Sequence, residues 1–268
     1  MNMVGVQVPE HLRGLADSVL AEAERDPRIV AVIAGGSVAT GTGDEYSDLD
    51  LVLVCTPEGQ AGCLAEAKEF AGRAGKLLAG FTGEHVGEPR LLIALYGPPL
   101  AHVDLKFVTM DELHDRVEDG VVLWQRDDGV DRVFKESAAR WPQVDPQWIE
   151  DRIWVWVHYV AVKIQRGELF EAIDALGMIR SAAIAPLAGY GRTSRPAGVR
   201  RLETLVPELV PELRATVATA DQADCLRALN ASVDVYRTVR DRAGASITRR
   251  TDAENATVAY LQAATPQP

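Results

Sequence analysis

The hydrophobic pattern changes period several times along the chain, and each change marks an element. Residues 9–25 (PEHLRGLADSVLAEAER) place Leu12, Leu15, Val19 and Leu20 near one face, the spacing of an amphipathic helix. Residues 28–34 (RIVAVIA) and 50–54 (DLVLV) are short, β-branched runs bounded by turn residues and are read as strands. Residues 61–79 (AGCLAEAKEFAGRAGKLLA) carry a helical pattern interrupted by Gly72 and Gly75. Two further strands, 90–96 (RLLIALY) and 101–108 (AHVDLKFV), are separated by Gly-Pro-Pro, which predicts a hairpin. DELHDRVE, 111–118, reads as a short helix.

Beyond Trp141-Pro142 the strand pattern stops. Asp145-Pro146 supplies a helix opening, a capping side chain followed by proline at the first helical position. The helix is expected to run to about residue 166, and a second from Glu168 to about Leu187. After the loop GYGRTSRPAG come helices near 197–218, broken by Pro207 and Pro211, then 221–243 and 252–263. On the first of these helices Ile153, Val157, Val160 and Ile164 form a core stripe. The expectation is an α/β N-terminal domain, a mixed sheet flanked by helices over 1–140, followed by an all-α helical-bundle domain over 141–268. No internal repeat interrupts this plan.

Composition narrows the classes. With 268 residues, 47% hydrophobic and 25% charged, the chain is long and apolar enough to bury a core. The net charge of −11 argues against a duplex nucleic-acid partner, which needs a basic face. No apolar run is read as a membrane span, and MNMVGVQVPEHLRGL lacks the basic start and apolar stretch of a signal peptide. Cys55, Cys63 and Cys225 show no metal-binding spacing, so a reduced, cytoplasmic protein is expected.

The chemistry concentrates in AVIAGGSVATGTGDEYSDLDLVLV, residues 31–54. Asp48 and Asp50 stand two apart at the start of a strand, so both side chains project to one face. Adjacent carboxylates repel unless a divalent cation lies between them, and hard oxygen ligands of this kind suit Mg²⁺ with substrate phosphates. The plain alternative is a turn aspartate followed by an edge carboxylate. Gly35-Gly36-Ser37 follows a strand, and its amides together with the Ser37 hydroxyl suit phosphate oxygens. The phosphate-loop motif GxxxxGK[ST] fails because Thr42 stands where its lysine belongs, and GxGxxG is absent.

The run G-G-S-V-A-T-G followed by S-D-L-D-L resembles the signature of the polymerase-β-like nucleotidyltransferase superfamily over residues 35–51, with secondary structure similar through about residue 108. Thr40 departs from the arginine common in minimal members. The resemblance implies transfer of a nucleoside monophosphate, AMP from ATP or another NTP, with Mg²⁺ held by Asp48, Asp50 and a third carboxylate on a neighbouring strand. Asp104 in HVDLKF is the candidate, on a strand where His102, Asp104 and Lys106 share one face. A solvated edge is the alternative. Gly35, Gly36, Ser37 and Ser47 are placed with the nucleotide; Asp104 could also accept the acceptor's proton, and Glu84 and Glu88 are read either as alternative bases or as solvated loop acids. In the helical half, Arg152, Trp156, Tyr159 and Lys163 form a cationic–aromatic band, read either as nucleotide-binding through Lys163 or as packing.

The helical domain is architecturally similar to that of aminoglycoside and lincosamide nucleotidyltransferases, which implies a small-molecule hydroxyl acceptor, with no nucleic-acid or membrane partner. The acidic balance tilts the acceptor towards a polyamine. Modification of a protein partner, as in antitoxin-type members, and non-catalytic nucleotide binding are the alternatives. The sequence leaves the oligomeric state open.

Overall fold

The computed structural model describes residues 8–244 and 247–263, so residues 1–7 of the stretch read for a signal peptide lie outside it. The chain divides into two compact units, the first ending at Trp141 and the second starting at Pro142.

In the first unit α1 (Glu10–Arg25) precedes β1 (Ile29–Ala34), a short α2 (Gly36–Thr40) and β2 (Leu49–Cys55). There follow α3 (Gln60–Ala65), α4 (Ala67–Ala74), β3 (Leu77–Gly83), β4 (Glu88–Tyr96), β5 (Ala101–Thr109), β6 (Val121–Gln125) and α5 (Gly129–Glu136). The sheet order is β3-β4-β5-β2-β1-β6. β2 and β5 pair in parallel and the other neighbours are antiparallel, so the sheet is mixed as expected.

Alternation along the strands decides what covers each face. Leu49, Leu51 and Leu53 of β2 join Val103, Leu105 and Phe107 of β5 in a core with Leu12, Ala16 and Val19 of α1. Each such leucine or valine, fully buried, stabilises the fold by roughly 1.5–3 kcal/mol. The opposite face has a smaller core, in which Ile33, Val54 and Val108 meet Leu113, Val130 and Val133.

Three departures from the sequence pattern stand out. Residues 61–79 are not one helix: the chain makes α3 and α4, leaves the helix at Gly75 and enters β3. Leu77, Leu78 and Ala79 favour helix locally, but the antiparallel ladder to β4 outweighs that preference. VVLWQ, residues 121–125, pairs with β1 as an edge strand. Its β-branched and aromatic run between Gly120 and Asp127-Asp128-Gly129 was a strand signal. Residues 111–115 form a 3₁₀ turn rather than an α-helix.

Among its described residues the second unit contains helices and no strands. Asp145 caps α6 (Pro146–Gln165), accepting from the Gln147 and Trp148 amides at 3.0 Å each. The stripe Ile153, Val157, Val160 and Ile164 is buried. α7 (Leu169–Ile179) passes through a π-helical turn into α8 (Ala185–Gly189). Residues 169–189 are long and apolar enough to cross a bilayer, which corrects the reading that no such run exists; half of the segment is buried against the rest of the chain. After α9 (Leu202–Leu205), Pro207 opens a 3₁₀ turn and Pro211 lies in the first turn of α10 (Val210–Ala215). α11 (Gln222–Ala243) and α12 (Thr251–Ala263) complete the unit.

A buried carboxylate ties three of these helices. Glu150 of α6 is fully buried and accepts from Tyr236 Oη, from Trp154 Nε1 at 3.2 Å and from the Arg250 amide at 2.9 Å. Arg240, only 4% exposed, reaches Glu150 at 3.4 Å and Glu254 at 2.8 Å. A buried charge so satisfied orders its surroundings, whereas removing one partner costs about 3–5 kcal/mol.

Candidate active site

Strand register brings the sequence-distant acids together. Asp50 of β2 and Asp104 of β5 are direct partners in the parallel ladder, flanked by the buried pairs Leu49–Val103 and Leu51–Leu105. Residues in register on neighbouring strands project to the same face, so both carboxylates leave the side opposite the main core. Asp48 precedes β2 and shares the parity of Asp50. Asp104 is half-buried and its carboxyl is held above the usual range, chiefly by burial and also by the nearby Asp48 charge. His102, two residues earlier on the same face, opposes that rise through a 3.1 Å contact to Asp104 Oδ1.

The glycine turn abuts the same point. Gly35 donates its amide to the Asp50 carbonyl at 2.9 Å, which fixes the turn against β2 and engages an amide expected to be open to phosphate. Gly36 has φ +53, and a Cβ built on it would lie 1.9 Å from Asp50 Oδ2. Only glycine lets the backbone approach the carboxylate this closely. The Gly36, Ser37 and Val38 amides, at the start of α2, have no intrahelical acceptor. Ser37 Oγ is buried without a hydrogen-bond partner, the sole such side-chain atom among the described residues.

Other expected residues are engaged elsewhere. Ser47 Oγ donates to Asp44 Oδ1 and accepts from the Asp44 amide, both at 2.9 Å, so its hydroxyl closes a turn. Thr40 Oγ1 contacts Thr42 Oγ1 at 2.8 Å. Glu84 accepts from Thr82 Oγ1 at 2.6 Å. Glu88 pairs with Arg90 and Lys106, both at 2.7 Å, and its pKa is lowered to about 2, mainly by the Arg90 hydrogen bond, which leaves it a weak base. One carboxylate went unremarked in the sequence: Glu118 Oε1 lies 3.7 Å from a Cβ built on Gly35. It precedes β6 with no motif around it, and only the fold carries it to the turn.

In the helical unit the residues of the band on α6 find partners within the unit itself. Lys163 Nζ pairs with Glu168 at 2.6 Å and Glu171 at 3.0 Å, and Tyr159 donates to Glu171. Arg152 stacks on Trp148, 4.1 Å from its ring centre, and Trp148 meets Trp156 edge-on at 5.7 Å. A cleft of about 330 Å³ within this unit is lined by Pro142, Trp148, Ile149, Pro186 and Pro196 among others.

Among the described residues no three His, Cys, Asp or Glu side chains stand close enough to hold a metal ion as they are placed. The donor chemistry nevertheless fits a hard cation. Asp48, Asp50 and Asp104 are oxygen donors sharing a face, and a turn with an orphaned hydroxyl lies against them.

The family model described as nucleotidyltransferase domain matches residues 17–154. No curated protein matches the chain. Among solved structures, an aminoglycoside 6-adenyltransferase from Bacillus subtilis is similar at 16% identity, covering 92% of this chain and 96% of that one with a TM-score of 0.37. A nucleotidyltransferase-like protein from Exiguobacterium sibiricum 255-15 shows 11% identity, 96% and 81% coverage and a TM-score of 0.32. Likenesses this distant carry no argument about substrate.

Proposed function

The chain belongs to the nucleotidyltransferase domain family, and on that premise we propose that it transfers AMP from ATP to a hydroxyl of a small molecule, with a divalent cation, Mg²⁺, at Asp48, Asp50 and Asp104. The observation that most supports this reading is the pairing of Asp50 with Asp104 beside a turn whose Ser37 hydroxyl is buried and unpartnered. A buried hydroxyl left unpaired costs about 1–3 kcal/mol, and a phosphate oxygen accepting from Ser37 restores that loss.

The roles follow from position. Ser37 Oγ and the Gly36 and Ser37 amides receive the β- and γ-phosphates and hold the leaving pyrophosphate. Asp104 accepts the proton of the attacking hydroxyl. His102 orients it by hydrogen bonding. Asp48, Asp50 and Asp104 would hold the cation, which would supply charge neutralisation at the phosphate oxygens. The three cysteines are free thiols, which suits a reducing, cytoplasmic setting.

The test is transfer of label from α-labelled ATP with Mg²⁺ to a panel of hydroxyl-bearing antibiotics. AMP appears on a small molecule if the reading holds, and Asp50→Asn lowers that transfer roughly 100-fold or more. Label on a polypeptide instead redirects the acceptor to protein, and absence of both transfer and nucleotide binding overturns the reading.

A further inference from the structure

The row through the paired aspartates continues past them. Ile93 of β4 is the register partner of Asp104, and Phe81 of β3 is the partner of Ile93. Leu95 likewise partners His102. Asp50, Asp104, Ile93 and Phe81 therefore share one face across four neighbouring strands. The apolar end of this row is uncovered: Phe81 is 52% exposed and Leu95 40% exposed, with the His85 ring 5.5 Å from Phe81. On β5 the residues beside Asp104 on this face are His102 and Lys106, and Lys106 is neutralised by Glu88.

Reaction geometry gives this patch a direction. In-line displacement at phosphorus requires the attacking hydroxyl and the leaving pyrophosphate to lie on opposite sides. The glycine turn leaves the end of β1, on one flank of the aspartates, and the apolar patch lies on the other, over β4 and β3. Pyrophosphate held at Ser37 sends the acceptor towards Ile93, Leu95 and Phe81. From β5 to β3 is about 10 Å at ordinary strand spacing, enough for one or two rings laid flat.

We propose that Phe81, Ile93 and Leu95 form the acceptor-binding surface, and that the acceptor is a hydroxyl compound with an apolar ring face and little positive charge rather than a polycation. This rests on the assignment of Ser37 and Asp104 above. It reverses the tilt towards a polyamine drawn from net charge, because the three aspartates lie together at one end of the row, while beyond Asp104 the row continues over β4 and β3 as hydrocarbon, with His102 and a lysine already paired to Glu88 beside it. A polycation needs carboxylates along its length; this surface offers an aromatic platform instead.

The test uses the full chain with Mg²⁺ and a non-hydrolysable ATP analogue, and two probes: phenyl β-glucoside, and a polycationic aminoglycoside. Saturation-transfer NMR and titration read each probe, and the analogue is titrated in the same samples. Phenyl β-glucoside is expected to bind through its ring, with affinity falling about fivefold or more in both Phe81→Ala and Leu95→Gln. Analogue affinity stays unchanged in those variants, and Phe170→Ala, an exposed position in the helical unit, alters neither. Preference for the polycation, ring binding in both variants unchanged from the unmodified protein, or no binding of either probe overturns the proposal. So does a dimer that dissociates on Phe81→Ala, since the patch then pairs β3 edges between copies. An analogue that fails to bind the unmodified protein overturns the parent reading, and is seen separately from the probe results.

Discussion

Gly36 and Asp50 are in such close approach that a single methyl group cannot fit between them, since a Cβ on Gly36 would lie 1.9 Å from Asp50 Oδ2. Gly36→Ala is expected to displace the carboxylate and to add the left-handed backbone cost of about 1–2 kcal/mol. Gly41 also has positive φ, at +66, but nothing lies within 4 Å of its Cβ position. Gly41→Ala therefore carries the backbone cost alone. Thermal melts should show both variants destabilised, and AMP transfer should be lost only in Gly36→Ala. Equal activities would mean the approach to Asp50 has no functional weight.

Asp50→Asn and Asp104→Asn are each expected to lower turnover roughly 100-fold or more. For Asp104→Asn, stability should move the other way. Asp104 is half-buried and faces the Asp48 charge, so the neutral amide relieves both burial cost and repulsion. In metal-free buffer Asp104→Asn should melt at or above the temperature of the parent chain. A clear drop would make Asp104 a structural carboxylate.

Ser37→Ala removes a buried hydroxyl that has no partner. Its melting temperature should hold or rise, whereas KM for ATP should rise about ten- to a hundredfold, the equivalent of about 1.5–3 kcal/mol for a hydrogen bond to a charged group. Steady-state kinetics with ATP varied, beside a thermal melt, separates this from a packing defect, which would lower the melting temperature as well.

Glu88 makes stability depend on acid. Its folded pKa of about 2 lies below the ordinary glutamate value of 4.5, so the carboxylate stabilises the fold at pH above 4.5. That contribution fades as pH falls from 4.5 towards 2. At neutral pH Glu88→Gln should cost on the order of 1–3 kcal/mol, and the gap to the parent should close as the solution is acidified. Denaturant melts across that range check the sign; a gap that widens in acid contradicts it.

Lys163→Ala is expected to lower the melting temperature while leaving KM for ATP unchanged, because Glu168 and Glu171 already hold the ammonium. A raised KM in the same kinetics would restore Lys163 to the nucleotide.

Much of the candidate site could be read as a local pattern. The parity of Asp48 and Asp50, and the Gly-Gly-Ser turn before them, sit within one short stretch, where strand alternation decides which way each side chain points. Asp104 was a candidate only through the resemblance, which implies a third carboxylate on a neighbouring strand; local alternation showed just that it lies opposite Val103, Leu105 and Phe107. Ser47 and Lys163 are of types that suit phosphate, and the partners the fold gives them, Asp44 for Ser47 and Glu168 and Glu171 for Lys163, are set by neighbours the sequence does not rank. Leu77, Leu78 and Ala79 read as helix because local propensity knows nothing of the β4 ladder.

By itself, then, the amino-acid order determined the alternation of elements, the change to an all-helical second half, and which acids share a strand face. Each depends on periodicity or on chemistry between near neighbours. Only the tertiary structure decided that Asp50 stands opposite Asp104, that Gly36 presses on Asp50, and that Ile93 and Phe81 extend the row. Those are register relations between distant segments. Register is settled by burying every strand's apolar face at once, a condition no single stretch of the chain can express.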